Sequence, residues 1–592
     1  MKSRSEIEDK YKWKLEDIFS SVEKLKESIL EIEEKSKLFE AFKGKLKNPK
    51  TLRECLNLAD ELKEEFNKVF LYACLKADED TRIGENQALV GKVMSTMAMI
   101  NSSLSFIEPE LIEIGEKLKT LVKEEGLYVY EKFFDDLIRK KNHTLDASKE
   151  ELMAVMGEMT DSASNIFMMI NNADMNFEDA IDSKGESHKL THSSSFAYLE
   201  SYDRELRSNV YDKVIKEYVK RKNSIGQTFL ENLKKDRIIA SIRNYNSSLE
   251  MKLGADNIPV SVYENLLDSV DDNRAAMHKL SLLRKKVLGV ESLYNYDMAV
   301  PLIKDADNKI SYDDAILNVA NSLKLLGDEY YENVKIGFEN GWIDVYETEG
   351  KQSGAYSWAT KGVHPFILIN YNGTVSDMFT LTHEMGHAMH SYFTNKTQPN
   401  IYASYSAFLA EIAATVNEGL LHEYLMETTV DNKKRTYLVN ERINSFVRTF
   451  FRQATFAAFE KRSHELAKSG QITIDELNKI FEEEMKKEFG DEVNFAENSE
   501  LGWMRIPHFY NGFYVYQYPI GFATSIAIIE NIKKKGQKGI NDYFKMLKGG
   551  SSKYPIDLLK EAGVDLTTKA PIEAALKNFS NLVDELETLL EV

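Results

Sequence analysis

Three residues of one short stretch have the types and the spacing to bind a metal ion and to move a proton. Between Leu381 and Ser391, the residues His383, Glu384 and His387 form the pattern H-E-x-x-H. On an α-helix of about 3.6 residues per turn, positions i and i+4 lie on one face, so the two imidazoles can bind one zinc ion. The Glu384 carboxylate then lies beside the metal, where it can accept a proton from an attacking water. The pattern therefore predicts a hydrolytic zinc site.

The neighbouring residues predict a helix with two unlike faces. At about 100° per residue, Met378, Met385 and Met389 lie near Leu381 and form an apolar face, while the histidines lie on the nearly opposite face. The alternative is an ordinary solvated face, which would carry Lys and Glu rather than three histidines. We expect Ser376 to cap the start of this helix.

The third ligand must come from another element. His390 shares the histidine face, but it lies about 10 Å along the helix axis from His383, too far for one tetrahedral zinc ion. The segment 408–421 predicts a second helix whose only acids are Glu411 and Glu418, on one face. A carboxylate among Ala, Ile and Val needs a partner. We expect Glu411 to bind zinc and Glu418 to accept a hydrogen bond from a ligand imidazole; the alternative for either acid is a buried salt bridge.

Motifs in the middle and at both ends of the chain resemble one peptidase family. The stretch His383–His390, followed by Phe408–Glu411, resembles the zinc site of the thimet oligopeptidase and neurolysin family of zinc oligopeptidases. Tyr11–Phe19 is similar to the opening motif of the oligoendopeptidase F branch, and Gly549–Pro555 with Ala562–Asp565 is similar to its closing motif. The resemblance covers essentially the whole chain.

The resemblance implies a fold and a set of donors from the C-terminal region. Enzymes of this family are mainly α, two-lobed and zincin-like, with a small β element beside the zinc helix and a deep central cleft that restricts them to short peptides. A His and a Tyr from their C-terminal region contact the substrate carbonyl and the developing oxyanion. In this chain the His corresponds to His508 and the Tyr to Tyr518, or second to Tyr514. The alternative for each tyrosine is packing in an aromatic core.

Composition excludes several classes of partner. A formal net charge of −19 argues against nucleic acid and anionic membrane, since both need a basic surface. No stretch reaches the roughly 20 apolar residues of a membrane helix, and the N-terminus has no apolar signal region. The only two cysteines, Cys55 and Cys74, are expected to be reduced and structural. We expect a cytoplasmic protein, and the sequence does not define its oligomeric state.

The chain is expected to be mainly α and to have three regions. Segments rich in Glu, Lys, Leu and Ala, with 10 Pro and 29 Gly in 592 residues, favour helices. We expect an N-terminal helical region over 1–110, a second helical region with a small hairpin over 111–200, and a catalytic zinc metallopeptidase domain over 201–592. Residues 365–371 predict a β-strand, either at a sheet edge, where it could pair with an extended peptide, or in a sheet interior.

These features predict a zinc-dependent oligoendopeptidase that holds one zinc ion per chain and cleaves internal bonds of oligopeptides. The two motif histidines and Glu411 hold the ion, Glu384 is the general base, and the C-terminal donors stabilise the oxyanion. Two alternatives are a zinc hydrolase of a non-peptide acyl substrate and a non-catalytic peptide-binding protein with structural zinc. A structural site needs a fourth protein ligand, for which only His390 or His364 is available.

Overall fold

The computed structural model describes residues 2–124, 126–303, 309–470 and 472–591. Helices account for 72% of the structure, and the strands among these residues form only three small sheets. The predicted mainly α fold is confirmed. It follows from a composition rich in residues that lose little side-chain entropy in a helix.

The helices follow one another along the chain, and most of them are joined by short connections. In chain order, the α-helices of the described residues are α1 Val22–Ser36, α2 Pro49–Asp78, α3 Gly84–Leu104, α4 Ile107–Ile114, α5 Leu118–Leu121, α6 Glu131–Lys140, α7 Ala147–Thr160, α8 Ser162–Met169, α9 His192–Leu199, α10 Arg204–Ile242, α11 Ser248–Gly254, α12 Val260–Asp272, α13 Ala275–Leu288, α14 Tyr312–Ser322, α15 Asp328–Glu339, α16 Val375–Thr397, α17 Ala407–Thr428, α18 Asn432–Ser445, α19 Arg452–Ala467, α20 Ile474–Phe489, α21 Gln517–Lys535, α22 Gln537–Gly549, α23 Pro555–Glu561 and α24 Ala570–Leu590. None of these helices combines the length and the apolar character that crossing a membrane requires, as far as the described residues extend.

The strands are short and belong to three separate sheets. They are β1 Ala180–Ile181, β2 Ser187–His188, β3 Leu293–Tyr294, β4 Ile343–Asp344, β5 Tyr356–Trp358, β6 Phe366–Leu368 and β7 Val493–Asn494. β1 and β2 pair antiparallel and form the predicted hairpin, β3 and β7 pair parallel, and the third sheet has the order β4-β6-β5. Each strand of the hairpin is two residues long, which is shorter than the sequence on either side of its turn suggested.

The strand ahead of the zinc helix is an interior strand. β6 pairs with β4 through Ile367 and Ile343, and with β5 through Ile367 and Ser357. All three residues of β6 are buried. Both backbone edges of β6 are therefore used within the sheet, and an extended peptide could pair only with an outer strand of it.

Two compact units make up the chain, and each is built from three separate segments. The first unit contains Met1–Thr144, Asp307–Glu427 and Ile528–Val564. The second unit contains Leu145–Ala306, Thr428–Ala527 and Asp565–Val592. The predicted metal ligands belong to the first unit and the predicted C-terminal donors to the second. The predicted division into three functional regions, with boundaries after residues 110 and 200, stays a prediction, because the two compact units reflect packing and not function.

The opening motif is part of the core of the first unit. The indole of Trp13 is almost fully buried, packs edge-on against Phe366 of β6, and donates a hydrogen bond of 3.0 Å to Glu79. Because β6 leads directly to α16, burial of this tryptophan anchors the strand that precedes the zinc helix.

The start of α16 is capped by Thr374 and not by Ser376, so the predicted cap was wrong by two residues. The Thr374 hydroxyl accepts a hydrogen bond of 3.0 Å from the Asp377 amide, and the Asp377 carboxylate accepts one of 2.9 Å from the Thr374 amide. This reciprocal pair satisfies two amides that the first turn leaves open. Thr374 is the better cap because an acid, Asp377, follows it three residues later. Ser376 therefore lies inside the helix.

The closing motif supports the other end of α16. Thr394 and Thr397 donate hydrogen bonds of 2.9 and 2.8 Å to the carbonyls of Leu547 and Lys548 at the end of α22. Gly550 follows with a φ of +52°, and a Cβ there would lie 2.1 Å from a backbone oxygen. A Cβ at Gly550 would also lie 3.0 Å from Thr394 Cγ2, so this glycine of the closing motif lets the end of α22 lie close against the zinc helix.

Candidate active site and metal centre

The two motif histidines point one nitrogen each at a common position. The Nε2 atoms of His383 and His387 are 3.1 Å apart, and their rings are nearly perpendicular, with centroids separated by 4.7 Å. One turn of α16 separates the two residues, as the i, i+4 spacing requires. Two nitrogen lone pairs that converge in this way favour a shared cation.

Glu411 of α17 completes the group. Its Oε2 atom lies 3.5 Å from His383 Nε2 and 4.0 Å from His387 Nε2. Zinc bonds of about 2.0 to 2.1 Å in a tetrahedron place neighbouring ligand atoms about 3.4 Å apart. These three ligand atoms therefore fit one zinc ion, and the donor set of two imidazoles and a carboxylate is the one that catalytic zinc sites use.

Gly386 allows α17 to come close enough to supply this carboxylate. A Cβ at Gly386 would lie 2.5 Å from the Ala414 Cα and 2.7 Å from the Ala413 carbonyl oxygen. The two helices are therefore in backbone contact one residue before His387. Gly386 lies inside the H-E-x-x-H motif, but the sequence analysis predicted no role for it. The small residues on both helices were the signal that could have indicated this close contact.

Glu418 lies on the opposite side of the His383 ring. The Nδ1 atom of His383 donates a hydrogen bond of 2.5 Å to Glu418 Oε1. Since the proton is then on Nδ1, the Nε2 lone pair is free to face the metal position. Glu411 and Glu418 are seven residues apart on α17 and so contact the same imidazole from two sides. This is the placement expected for a carboxylate that orients a ligand.

The two histidines of the motif have different pKa values in the metal-free chain. Burial opposes protonation of His383, but the hydrogen bond and charge of Glu418 outweigh it and raise its pKa to about 9. Burial and the charge on His383 lower the pKa of His387 to about 3. Binding of a metal must therefore displace a proton from His383 at neutral pH.

Glu384 is placed to act as a base near neutral pH. Its side chain is buried, and burial raises its pKa to about 7 although the neighbouring His383 charge lowers it. A carboxylate with a pKa near the working pH can both accept and return a proton. A dication held next to it would favour the ionised form.

Neither candidate for a fourth ligand belongs to the group of converging ligand atoms. His390 is completely buried and its ring stacks on Tyr405, with centroids 3.7 Å apart. His364 stacks on Trp342 and lies 3.0 Å from the Asp17 carboxylate. Among the described residues, the ligand group at this position contains two histidines and one glutamate, which would leave a zinc ion bound there a coordination position for water and substrate.

The predicted C-terminal donors lie together in the second unit. The ring of His508 is 6.2 Å from each of the rings of Tyr514 and Tyr518, and the two tyrosine rings are 5.6 Å apart. Tyr516, which alternates with them, is buried in the core. Desolvation lowers the pKa of His508, so its imidazole is neutral at neutral pH and carries one N–H donor. Their role at the oxyanion stays a prediction.

The chain is similar to known peptidases. A family model described as Peptidase family M3 matches residues 197–578, and one described as Oligopeptidase F matches residues 110–177. The chain is 39% identical to Oligopeptidase PepF of Bacillus subtilis, over 99% of this chain and 88% of the relative. It is 34% identical to an oligoendopeptidase F homolog of Borreliella burgdorferi, over 100% of both chains.

Solved structures share the fold. Oligoendopeptidase F from Enterococcus faecium is 31% identical and superposes with a TM-score of 0.74, covering 96% of this chain and 98% of its own. A chain from Chlamydophila abortus superposes with a TM-score of 0.94 at 30% identity, covering 99% of this chain and 100% of its own.

We predict that Gly386→Ala weakens metal binding. The added methyl group cannot fit against the α17 backbone, so the helices must move apart and carry Glu411 away from the two histidines. Zinc affinity, measured by competition with a chromogenic chelator, should fall by about tenfold to a hundredfold.

The matched control is Gly91→Ala, because a Cβ at this glycine of α3 meets nothing within 4 Å. This control should keep parental zinc affinity and gain about 0.5 to 1 kcal/mol of stability, since alanine is the better helix former. Equal zinc affinity in the parent and Gly386→Ala would contradict the role given to the helix contact.

Proposed function

The chain belongs to peptidase family M3 and to its oligoendopeptidase F branch, and on that basis we propose that it is a zinc-dependent enzyme that cleaves internal bonds of short peptides with Glu384 as general base. Membership makes the chain a metalloendopeptidase. The two alternatives, a hydrolase of non-peptide acyl substrates and a non-catalytic peptide-binding protein, are therefore set aside.

The observation that carries the proposal is the convergence of three ligand atoms from two helices. His383 Nε2, His387 Nε2 and Glu411 Oε2 all lie within 4.8 Å of one another. These residues would hold one zinc ion, whose Lewis acidity activates a water molecule and polarises the scissile carbonyl. Glu418 keeps the proton of His383 on Nδ1, so the ligand nitrogen stays available.

Glu384 moves the proton. Its ionised carboxylate accepts a proton from the attacking water and then donates it to the leaving amine, which would otherwise depart as an unstable anion. In the metal-free chain the pKa of about 7 leaves neither protonation state of Glu384 strongly disfavoured, and a dication beside it would favour the ionised form that accepts the proton. Burial of the side chain also limits exchange of that proton with solvent.

The proposed substrate is a short peptide in an extended conformation. The curated relatives carry the names oligopeptidase and oligoendopeptidase F. Within the first unit, α16 packs against β5, and β5 has one strand neighbour, β6, among the described residues. Its other backbone edge could pair with a peptide main chain whatever the side chains of that peptide.

The proposed oxyanion donors are His508 and Tyr518, with Tyr514 as the second choice. All three side chains are clustered, and a neutral imidazole and a phenol both supply a hydrogen-bond donor. Donors aimed at charge that develops only in the transition state raise kcat more than they improve substrate binding. The residue types support this assignment, and kinetics must test it.

A digest of defined peptides of increasing length tests the function directly. We expect internal cleavage of short peptides, about one zinc ion per chain, and complete loss of cleavage after chelation without unfolding, because the core is large. Circular dichroism should be unchanged by the chelator, and added zinc should restore cleavage. Cleavage that survives removal of all metal, or no cleavage of any peptide in the series, would contradict the proposal.

Two substitutions separate the base from the ligand. Glu384→Gln should keep zinc and fold but lower kcat by about 10²- to 10⁴-fold, since it removes the proton acceptor and little volume. Glu411→Ala should instead lose zinc affinity.

Glu423→Ala is the matched control on α17, because the Glu423 carboxylate forms an ion pair of 2.7 Å with Lys533. It should leave both zinc content and kcat at the parental values. If Glu411→Ala binds zinc like the parent and Glu418→Ala does not, the ligand has been assigned to the wrong acid.

The oxyanion assignment is tested by Tyr518→Phe, with Tyr514→Phe as the comparison. Loss of one such donor costs about 2.7 to 4 kcal/mol in the transition state, so kcat should fall roughly a hundredfold or more while KM and zinc content stay near parental. If Tyr514→Phe carries the defect and Tyr518→Phe does not, the roles of the two tyrosines are exchanged. Parental kcat in both variants would remove the tyrosines from the mechanism.

A further inference from the structure

The turn that follows His508 is held by polar side chains on one face of α10. The Thr228 hydroxyl lies 2.7 Å from the Tyr510 hydroxyl, and the Asn232 amide donates a hydrogen bond of 3.2 Å to the Phe509 carbonyl. Asp236 is the next residue on this face, since positions i, i+4 and i+8 of a helix are aligned. All three side chains are buried, in a helix that is otherwise rich in exposed charges.

A second helix, α19, holds the other side of the turn. Glu460 Oε1 accepts a hydrogen bond of 3.0 Å from the Phe513 amide. The ring of His464, one turn further along, packs against the Phe513 ring with centroids 4.4 Å apart. His464 Nε2 is also 4.0 Å from Asp236 Oδ2, so the two helices meet behind the turn.

The backbone of the turn lies directly on these groups. A Cβ at Gly512 would be 2.9 Å from Asp236 Oδ2 and 3.2 Å from His464 Nε2. The next residue, Phe513, has a φ of +60°, a left-handed conformation that is unfavourable for a residue with a side chain. Such a conformation persists only when its surroundings impose it, and the Glu460 hydrogen bond to the Phe513 amide does so.

The cluster is more polar than packing alone requires. Asp236 Oδ2, Glu460 Oε2 and His464 Nε2 are buried and have no hydrogen-bond partner among the described residues. Burial of polar atoms without partners costs stability, and apolar residues of similar size would avoid that cost. Burial raises the pKa of Glu460 to about 8 and lowers that of His464 to about 3, which leaves both side chains neutral at pH 7.

We propose that Glu460, with Asp236 and His464, is a positioning residue that fixes the 509–513 turn and through it the orientation of His508. The left-handed Phe513 lies between His508 and Tyr514 in sequence, and the rings of these two residues are nearly parallel, at 17°. The effect of Glu460 on kcat rests on the oxyanion role proposed for His508. The effect of Glu460 on the orientation of His508 does not depend on that role.

Kinetics of two Glu460 variants provide the first test. Glu460→Ala should lower kcat by about tenfold to a hundredfold, since misplacement of a donor by about 1 Å has that effect, with KM and zinc content near parental. Glu460→Gln should keep most of the parental kcat, because a neutral amide oxygen can still accept from the Phe513 amide. A parental kcat in Glu460→Ala would overturn the proposal for catalysis.

Glu484→Ala is the matched control for loss of a buried carboxylate in the same unit. Glu484 is buried and forms ion pairs with Arg462 and Lys487. Its removal should lower the melting temperature and leave the kcat of the folded enzyme unchanged. If Glu484→Ala lowers kcat as much as Glu460→Ala does, the defect reflects lost stability and the proposal fails.

A double-mutant cycle asks whether Glu460 acts through His508. If it does, Glu460→Ala should have little further effect on kcat in a His508→Ala background. Equal effects in both backgrounds would overturn the proposal. Should Glu460→Ala not fold, Gly512→Ala disturbs the same contact from the turn side, and we expect the same kcat loss and the same non-additivity.

NMR of histidine-labelled protein separates this proposal from the oxyanion role. The His508 ring signals, assigned with His508→Ala, should shift in Glu460→Ala and stay in place in Glu460→Gln and Glu484→Ala. If His508→Ala has parental kcat while the signals shift as expected, the oxyanion role fails and the positioning role stands. Unmoved His508 signals in Glu460→Ala would overturn the positioning role.

Discussion

The backbone contact between α16 and α17 is the constraint on which the metal centre depends. At Gly386 the two helices approach until no Cβ can be accommodated against Ala414. Only at this separation do two acids of α17, Glu411 and Glu418, contact the imidazole of His383 from two sides. Glu411 and Glu418 are partly exposed, and two partly desolvated carboxylates beside one histidine are unfavourable unless their charges are compensated. A divalent cation would provide that compensation, so close helix packing and metal binding would stabilise the same arrangement.

The rest of the first unit fixes the ends of this helix pair. Thr374 and Asp377 satisfy the amides at the start of α16, and Thr394 and Thr397 tie its end to α22. These contacts are hydrogen bonds, local at the start of α16 and long-range at its end, and together they resist rotation of the helix about its axis. A rotation would move both imidazoles together and separate them from Glu411. Precision at the centre therefore depends on hydrogen bonds that lie several turns away from it.

The sequence predicted what periodicity determines and missed what tertiary packing determines. The spacings between His383 and His387 and between Glu411 and Glu418 place each pair on one helical face, and the structure brings both pairs together. The cap at Thr374 was missed because two hydroxyl residues compete near the helix start. The interior position of β6 and the hydrogen bond from Phe513 to Glu460 depend on segments far apart in sequence, for which local pattern carries no information.

The two sets of functional groups are held by opposite electrostatic means. The candidate ligands of the first unit are ionisable groups, and the hydrogen bond and charge of Glu418 raise the pKa of His383 in the metal-free chain, so a cation that binds there would displace its proton. In the second unit, desolvation favours neutral groups: it lowers the pKa of His508, whose side chain is still exposed, and it raises the pKa of the buried Glu460. In the oxyanion role proposed for His508, a neutral donor keeps its N–H for charge that develops only in the transition state. A permanently charged donor would instead bind the substrate and its transition state more nearly alike.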